Sequence, residues 1–163
     1  MNICVIPARA GSKRIPRKNI KEFNGKPIIA YSIEAALKSN CFSQVIVSTD
    51  DDEIANISQN WGAEVPFVRP SELSNDNSPH VDVLTHAINW LQENEDYLPE
   101  FLMLLQPTSP FRDNHHIDSA IKFFLKKKFK SVVSVTENKN FYKSFKSKRG
   151  GLKPYFDDKL VTN

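Results

Sequence analysis

Residues 7–19 read Pro-Ala-Arg-Ala-Gly-Ser-Lys-Arg-Ile-Pro-Arg-Lys-Asn. Five of these side chains are basic (Arg9, Lys13, Arg14, Arg17 and Lys18), and none is acidic. That composition suits the holding of a polyanion. Arg9 offers a planar fork for phosphate oxygens, while Lys13 and Lys18 offer mobile point charges. Gly11 permits a tight turn whose backbone N–H groups can face the same anion, and Ser12 lies beside it. The segment is not a Walker A loop, because Gly-x-x-x-x-Gly-Lys-Ser/Thr is absent. The dinucleotide pattern Gly-x-Gly-x-x-Gly is absent as well, so ATPase and dehydrogenase readings lose most of their weight. The bland alternative is a solvated basic loop, and the position of the segment argues against it.

That position follows from the elements around it. Residues 3–6 (Ile-Cys-Val-Ile) form an apolar run that stops at Pro7, too short for a helix. Similar runs occur at residues 45–47, 65–68, 101–105 (closed by Pro107) and 131–135, and are expected as four more strands. Continuous apolarity, rather than alternation, indicates strands buried on both faces, as in a parallel sheet. Helical stripes lie between them: Ile29, Ile33, Ala36 and Leu37 after Pro27; Ile54, Ile57 and Trp61 before Gly62; Val81, Leu84, Ile88 and Leu91, with Ser78 as cap and Pro79 in the first position; and Ile117, Ala120, Ile121, Phe124 and Leu125, capped by Asp113 or Asn114. Strands alternating with helices predict one α/β domain over residues 1–163: three layers around an open, mostly parallel sheet. Ligands of such sheets bind beyond the carboxyl ends of the strands. The rule selects residues 7–19, 48–52 and 106–112.

Other groups carry less chemistry. Asp50, Asp51, Asp52 and Glu53 could be taken for a magnesium cluster, but acids in a helix's first turn are favoured by its dipole, and that reading is preferred. Asp50, nearest the strand end, is kept as a candidate metal or ribose contact. Cys4 reads as a buried small hydrophobe, no disulfide with Cys41 is expected, and the four histidines lack zinc-ligand spacing with these cysteines. His115 and His116 are expected to be exposed at a helix start. The net charge of +3 is uneven: no acid precedes Glu22, and Glu137 is the only acid between Lys122 and Lys153. Such asymmetry suggests an anionic partner. Lys126, Lys127, Lys128 and Lys130 read better as a solvated helix end than as a nucleic-acid surface. No apolar run approaches the ~18 residues of a membrane span, and the N-terminus does not read as a signal peptide, so a cytoplasmic protein is expected.

With these segments in hand, the sequence resembles the acylneuraminate cytidylyltransferases, the CMP-sialic acid synthetases and their relatives acting on pseudaminic and legionaminic acids. The likeness is carried by Ile6-Pro7-Ala8-Arg9-Ala10-Gly11-Ser12-Lys13, by Pro16-Arg17-Lys18-Asn19 and by Gly25-Lys26-Pro27. Val47-Ser48-Thr49-Asp50 agrees, as do Phe67-Val68-Arg69-Pro70 with Leu73 and Asp76, and Leu105-Gln106-Pro107-Thr108-Ser109-Pro110-Phe111-Arg112. The resemblance implies a Rossmann-like nucleotidyltransferase fold. It implies an enzyme using CTP and Mg2+ to make a CMP-activated nine-carbon acid sugar for cell-surface polysaccharide, with release of pyrophosphate. It places the backbone of Pro7 and Ala8 against cytosine, and Arg9, Gly11, Ser12, Lys13 and Lys18 around the phosphates, with Lys18 and Arg9 the catalytic pair. Asn19, Asp76 and Ser78 would join the nucleotide site, and Arg69 would reach the cytosine edge. Gln106 would contact the acid sugar, with Ser109 and Arg112 lining or supporting that pocket. Gln106 also follows an apolar strand, where an amide buried without a partner would be costly and ligand contact explains it better than packing.

Two departures accompany the resemblance. The family's metal-binding aspartates and the arm that pairs two subunits lie in a C-terminal segment, and the chain stops at Asn163, before it. A truncated synthetase is therefore expected, with the complete protein a homodimer. Where relatives often carry small hydroxyl residues after the Asp76 position, this chain has Asn77-Ser78-Pro79-His80. Three alternatives stay open: a non-catalytic nucleotide-binding module, a cytidylyltransferase for another acid sugar such as Kdo, and, with least support, a nucleic-acid-binding domain.

Overall fold

The computed structural model describes residues 2–13, 15–127, 129–135, 145–148 and 151–154; Arg14 and much of the second basic block lie outside them. The chain divides into two compact units, Met1–Lys128 and Phe129–Asn163.

The first unit is built on β1 (Ile3–Pro7), whose whole length is apolar. Cys4 and Ile6 enter one core with Ile29, Ile33, Ile54, Ile117 and Ile121, while Ile3 and Val5 enter another with Ile46, Phe67, Ala87 and Leu91. A strand with helices on both faces cannot alternate apolar and polar residues, which is why the run is continuous. A two-stranded antiparallel ribbon follows, β2 (Glu22–Phe23) and β3 (Lys26–Pro27), joined at Asn24 and Gly25. Both linking residues have positive φ (48° and 83°), which Asn and Gly tolerate best. Then come α1 (Ile28–Ser39), β4 (Gln44–Ser48), α2 (Asp52–Asn60), α3 (His80–Glu95), β5 (Leu102–Leu104) and α4 (Asn114–Lys127).

The sheet is parallel, in the order β4-β1-β5, with Pro7 opposite Ser48 and Val5 opposite Leu104. From β1 the chain crosses through α1 to one neighbour; from β4 it returns through α3 to the other. α1 and α4 pack on one face and α3 on the opposite one, giving three layers. The direction of winding reverses at β1, so a crevice opens beyond its carboxyl end. The three-layer α/β expectation holds.

Several local expectations are corrected. Residues 65–68 form no named strand. They run beside β4 through isolated bridges, Ile46 with Glu64 and Thr49 with Val68, and Pro66, between them, has no N–H to give a continuous ladder. Residues 131–135 are not a strand either: Val133 and Val135 are 80% and 90% exposed, and no described segment pairs with them. The second unit instead contains a hairpin, β6 (Phe145–Lys148) with β7 (Gly151–Pro154), which the apolar pattern did not indicate. In α3 the buried stripe is Val83, Ala87 and Leu91, and Val81, in the first turn, is exposed. Leu37 and Leu125 are likewise exposed at helix ends. Ser78 does not cap α3; Pro79 occupies that position, and the Ser78 hydroxyl donates to the Glu72 carbonyl instead. Asp113 caps α4 as expected, its Oδ1 accepting from His116 N at 3.0 Å. Gly62 ends α2 with φ 92°, and Cys4 and Cys41 are free thiols.

Leu91 is fully buried where α3 meets the sheet. Leu91→Ala is expected to lower the unfolding free energy by about 2–5 kcal/mol, read from urea denaturation curves.

Candidate functional site

A cleft of about 260 Å3 opens at the carboxyl ends of β1 and β5. The loop after β1 contributes Pro7, Arg9, Gly11, Ser12, Lys18 and Asn19. The connection between α2 and α3 contributes Arg69, Leu73, Asn75, Asp76 and Ser78. His80 and Val83 enter from the start of α3, and Gln106, Pro107 and Thr108 from the turn after β5. Segments far apart in sequence thus meet where the strand winding reverses.

The basic loop is held by contacts that begin at the sheet. Ala8 N donates to the Ser48 carbonyl at 2.9 Å, extending the β1–β4 ladder by one step. Ala10 N donates to Asp50 Oδ1 at 2.9 Å, and the buried Asn19 amide donates to the Arg9 carbonyl at 3.0 Å. At the far end Arg17 adopts a left-handed backbone, φ 54°, which costs a non-glycine residue about 1–2 kcal/mol. Its guanidinium grips Asp51 through two bonds of 2.7 and 2.9 Å and also reaches Glu53, a bidentate clasp that holds the strained residue in place. Asp51 in turn caps α2, its Oδ1 accepting from Ile54 N at 2.9 Å. The Arg17 hydrogen bond, followed by the Ile54 amide, holds the Asp51 carboxyl below its ordinary range against the opposing effect of burial. The tight turn expected at Gly11 is therefore at Arg17. Gly11 has no positive φ, and a Cβ there would make only an ordinary 3.7 Å contact with Arg9 Nη1.

The loop contains no acid, yet acids from elsewhere reach it. Asp76 pairs with Arg9 and Lys13, and its carboxyl is held low by Lys13 first and then Arg9. Arg9 also donates to the Ser74 carbonyl at 3.4 Å. Lys13 is highly exposed and stands at the rim with Gly11, Ser12 and Asn75. Lys18, half-buried at the start of a short 3-10 turn, lines the cleft and forms no ion pair among the described residues.

Arg69, weighed from sequence against a surface arginine, is 4% exposed. Its Nε donates to Ser48 Oγ at 3.0 Å and its Nη2 to the Ser48 carbonyl, while burial lowers its pKa to about 10. Gln106 is corrected in the opposite sense. Its side chain is exposed, so no burial cost demands a ligand; it lines the cleft and lies 3.1 Å from His80 Nε2. Arg112 does not line the cleft. It donates to Ser32 Oγ at 2.8 Å and to the Gln106 carbonyl at 3.3 Å, supporting the turn from behind. Ser109 is exposed within that turn, its N–H donating to the same carbonyl. Ala8 is buried in the core beneath the loop. Asp50 is committed to Ala10 N and faces Arg69. Among the described residues no three His, Cys, Asp or Glu side chains gather as a ready-made metal cluster. Sequence reasoning did not assign roles to Arg17, Ser48 or His80, nor the apolar wall of Leu73, Val83 and Pro107. The Arg17–Asp51 spacing carries no local signal, because the two residues meet only through the fold.

Residues 3–150 match the family described as Cytidylyltransferase. A pseudaminic acid cytidylyltransferase of Campylobacter jejuni serotype O:2 is 42% identical over 136 residues, covering 83% of this chain and 58% of that protein. A CMP-N,N'-diacetyllegionaminic acid synthase of Legionella pneumophila is 42% identical over 134 residues, 82% of this chain and 57% of that one. A solved structure of CMP:2-keto-3-deoxy-manno-octonic acid synthetase complexed with CTP superposes with a TM-score of 0.64 at 25% identity, over 78% of this chain and 48% of the other. The chain spans a little over half the length of these two curated relatives.

The clasp generates a pH-dependent prediction. A carboxyl with a lowered folded pKa contributes stability above its unfolded value, and that stability is lost as pH falls through the folded value. Asp51→Ala is expected to cost about 1–2 kcal/mol at neutral pH through the lost cap and ion pair. The gap between variant and wild type should begin to narrow below about pH 4 and go on narrowing as pH falls through the lowered folded value, tracked by denaturation curves from pH 7 downwards.

Proposed function

This chain belongs to the cytidylyltransferase family, and on that premise we propose that its cleft binds CTP and transfers CMP to a nine-carbon acid sugar of the pseudaminic, legionaminic or sialic type. One observation carries the nucleotide reading. Among the described residues Lys18 faces a cleft at the carboxyl edge of the sheet with no protein counter-ion, beside a loop whose Arg9 and Lys13 share the single carboxylate of Asp76. A triphosphate supplies the negative charge this arrangement lacks.

In the proposed reaction the anomeric hydroxyl oxygen of the sugar attacks the α-phosphorus of CTP. A new P–O bond forms, the bond from that phosphorus to the β-phosphate oxygen breaks, pyrophosphate leaves, and the hydroxyl proton passes to solvent. The chain's contribution is positioning and charge stabilisation, as in phosphoryl transfer generally. Lys18 and Arg9 stabilise charge growing on the phosphates, Ser12 and the Gly11 backbone help cradle them, and Asn19 keeps the loop closed through the Arg9 carbonyl. Gln106, with His80 beside it, faces the acceptor sugar. Magnesium belongs to the proposal as the counter-ion that accompanies CTP, and no step is assigned to it. The homodimer implied by the sequence resemblance and the cytoplasmic location expected from the sequence's hydropathy belong to the same reading. The eight-carbon acid Kdo has weaker support as acceptor, because the synthetase named for it is 25% identical against 42% for the nine-carbon relatives.

Pyrophosphate release from CTP and magnesium, measured across a panel of acid sugars, tests the reading. Release with a nine-carbon acid is expected, and Lys18→Ala should slow it about a hundredfold. Unchanged turnover in that variant would remove Lys18 from the mechanism.

A further inference from the structure

Resting on the nucleotide reading above, we propose that Ser48 is the positioning residue that aims Arg69 at the nucleobase and so sets which base the cleft accepts. Ser48 and Arg69 are 0% and 4% exposed. The guanidinium is held at two points by one residue, Nε by the Ser48 hydroxyl at 3.0 Å and Nη2 by the Ser48 carbonyl. That carbonyl also accepts Ala8 N, so the grip on Arg69 and the first step of the basic loop share an anchor. The backbone of Arg69 is fastened to the same strand end, its N–H donating to the Thr49 carbonyl at 2.8 Å.

The consequence is chemical. A guanidinium carries five N–H donors and no acceptor. With Nε and one Nη2 hydrogen engaged, the donors left to the cleft can meet only acceptors, and Arg69 has no ion pair among the described residues. Burial lowers its pKa only to about 10, so it keeps its charge at neutral pH. Leu73, Val83 and Pro7 give the same cleft apolar wall for a flat ring. Cytosine presents O2 and N3 as adjacent acceptors. Uracil carries a hydrogen on N3 and would set donor against donor. A fork held still therefore favours CTP over UTP. Once the hydroxyl is removed, the guanidinium can pivot about its remaining bond, and the discrimination weakens while the phosphate contacts remain.

Calorimetric titration of the chain with CTP, UTP and inorganic tripolyphosphate tests this. Wild type should prefer CTP to UTP. Ser48→Ala should reduce that affinity ratio by about tenfold or more and leave tripolyphosphate binding unchanged. Ser48→Thr, which keeps the hydroxyl, should restore the ratio. Should Ser48→Ala not fold, Arg69→Lys asks the same question, because lysine keeps the charge but has no Nε for Ser48 to hold, and it should lose the same selectivity. A ratio unchanged in folded Ser48→Ala, or in Arg69→Lys, overturns the proposal, even where all affinities fall together. A wild type that binds tripolyphosphate but does not distinguish CTP from UTP overturns it and leaves the phosphate reading standing; one that binds none of the three removes both.

Discussion

Clustered positive charge must be balanced by something, and the architecture of this protein is organised around that requirement. Arg9, Lys13, Arg17 and Lys18 come together at one edge of the sheet, where their mutual repulsion grows as water is displaced. The fold answers with carboxylates from other segments. Asp50 takes the Ala10 amide, Asp51 and Glu53 take Arg17, and Asp76 takes Arg9 and Lys13. Asp50, Asp51 and Glu53 can reach the loop because β4 lies directly beside β1 in register, Ser48 opposite Pro7, which puts the residues after each strand side by side, while Asp76 arrives from the connection between α2 and α3. The described loop residues are thus held by protein contacts alone, and preorganisation of this kind reduces the entropic cost of binding.

The balance is deliberately incomplete on the cleft side. Arg17, turned towards α2, is fully paired and serves structure. Lys18, the next residue, lines the cleft and is not paired with any described carboxylate. Asp76 lies between these roles, because a single exposed carboxylate serves two cations that a polyphosphate would also attract. The opposite wall follows another logic. Arg69 is buried and faces Asp50, but its hydrogen bonds go to neutral oxygens of Ser48, so its guanidinium is oriented without an ion pair among the described residues. A cleft with mobile cations at one side and a fixed fork in its wall can separate affinity for phosphates from recognition of the group they carry.

How much of this was legible in the sequence depends on whether the signal was local. The continuous apolarity of residues 3–6 and 45–47 identified buried parallel strands, and the rule that ligands bind beyond strand ends then located the cleft. The caps at Asp113 and Gly62 were readable because capping is decided within a few residues. Failures arose where tertiary contacts decide. Pro66 broke the ladder that the apolar run at residues 65–68 suggested. Val81 and Leu37 continue helical stripes but fall at helix ends, beyond the packed face. Gln106 looked buried because it follows a strand, whereas the chain turns there and exposes the amide. The counter-ions of the basic loop were invisible, because the partners of Arg17 and Arg9 lie 34 and 67 residues away.

The central claim is that the amides and cations just past β1 form a polyphosphate site. The most direct measurement is a two-dimensional amide spectrum of the labelled chain during titration with CTP. The account predicts that the largest shifts fall at Ala10, Gly11, Ser12, Lys13, Lys18 and Asn19, with saturation at one nucleotide per chain. Saturating CTP that leaves those amides unmoved, or shifts that concentrate instead on Lys126, Lys127 and Lys130, would contradict it.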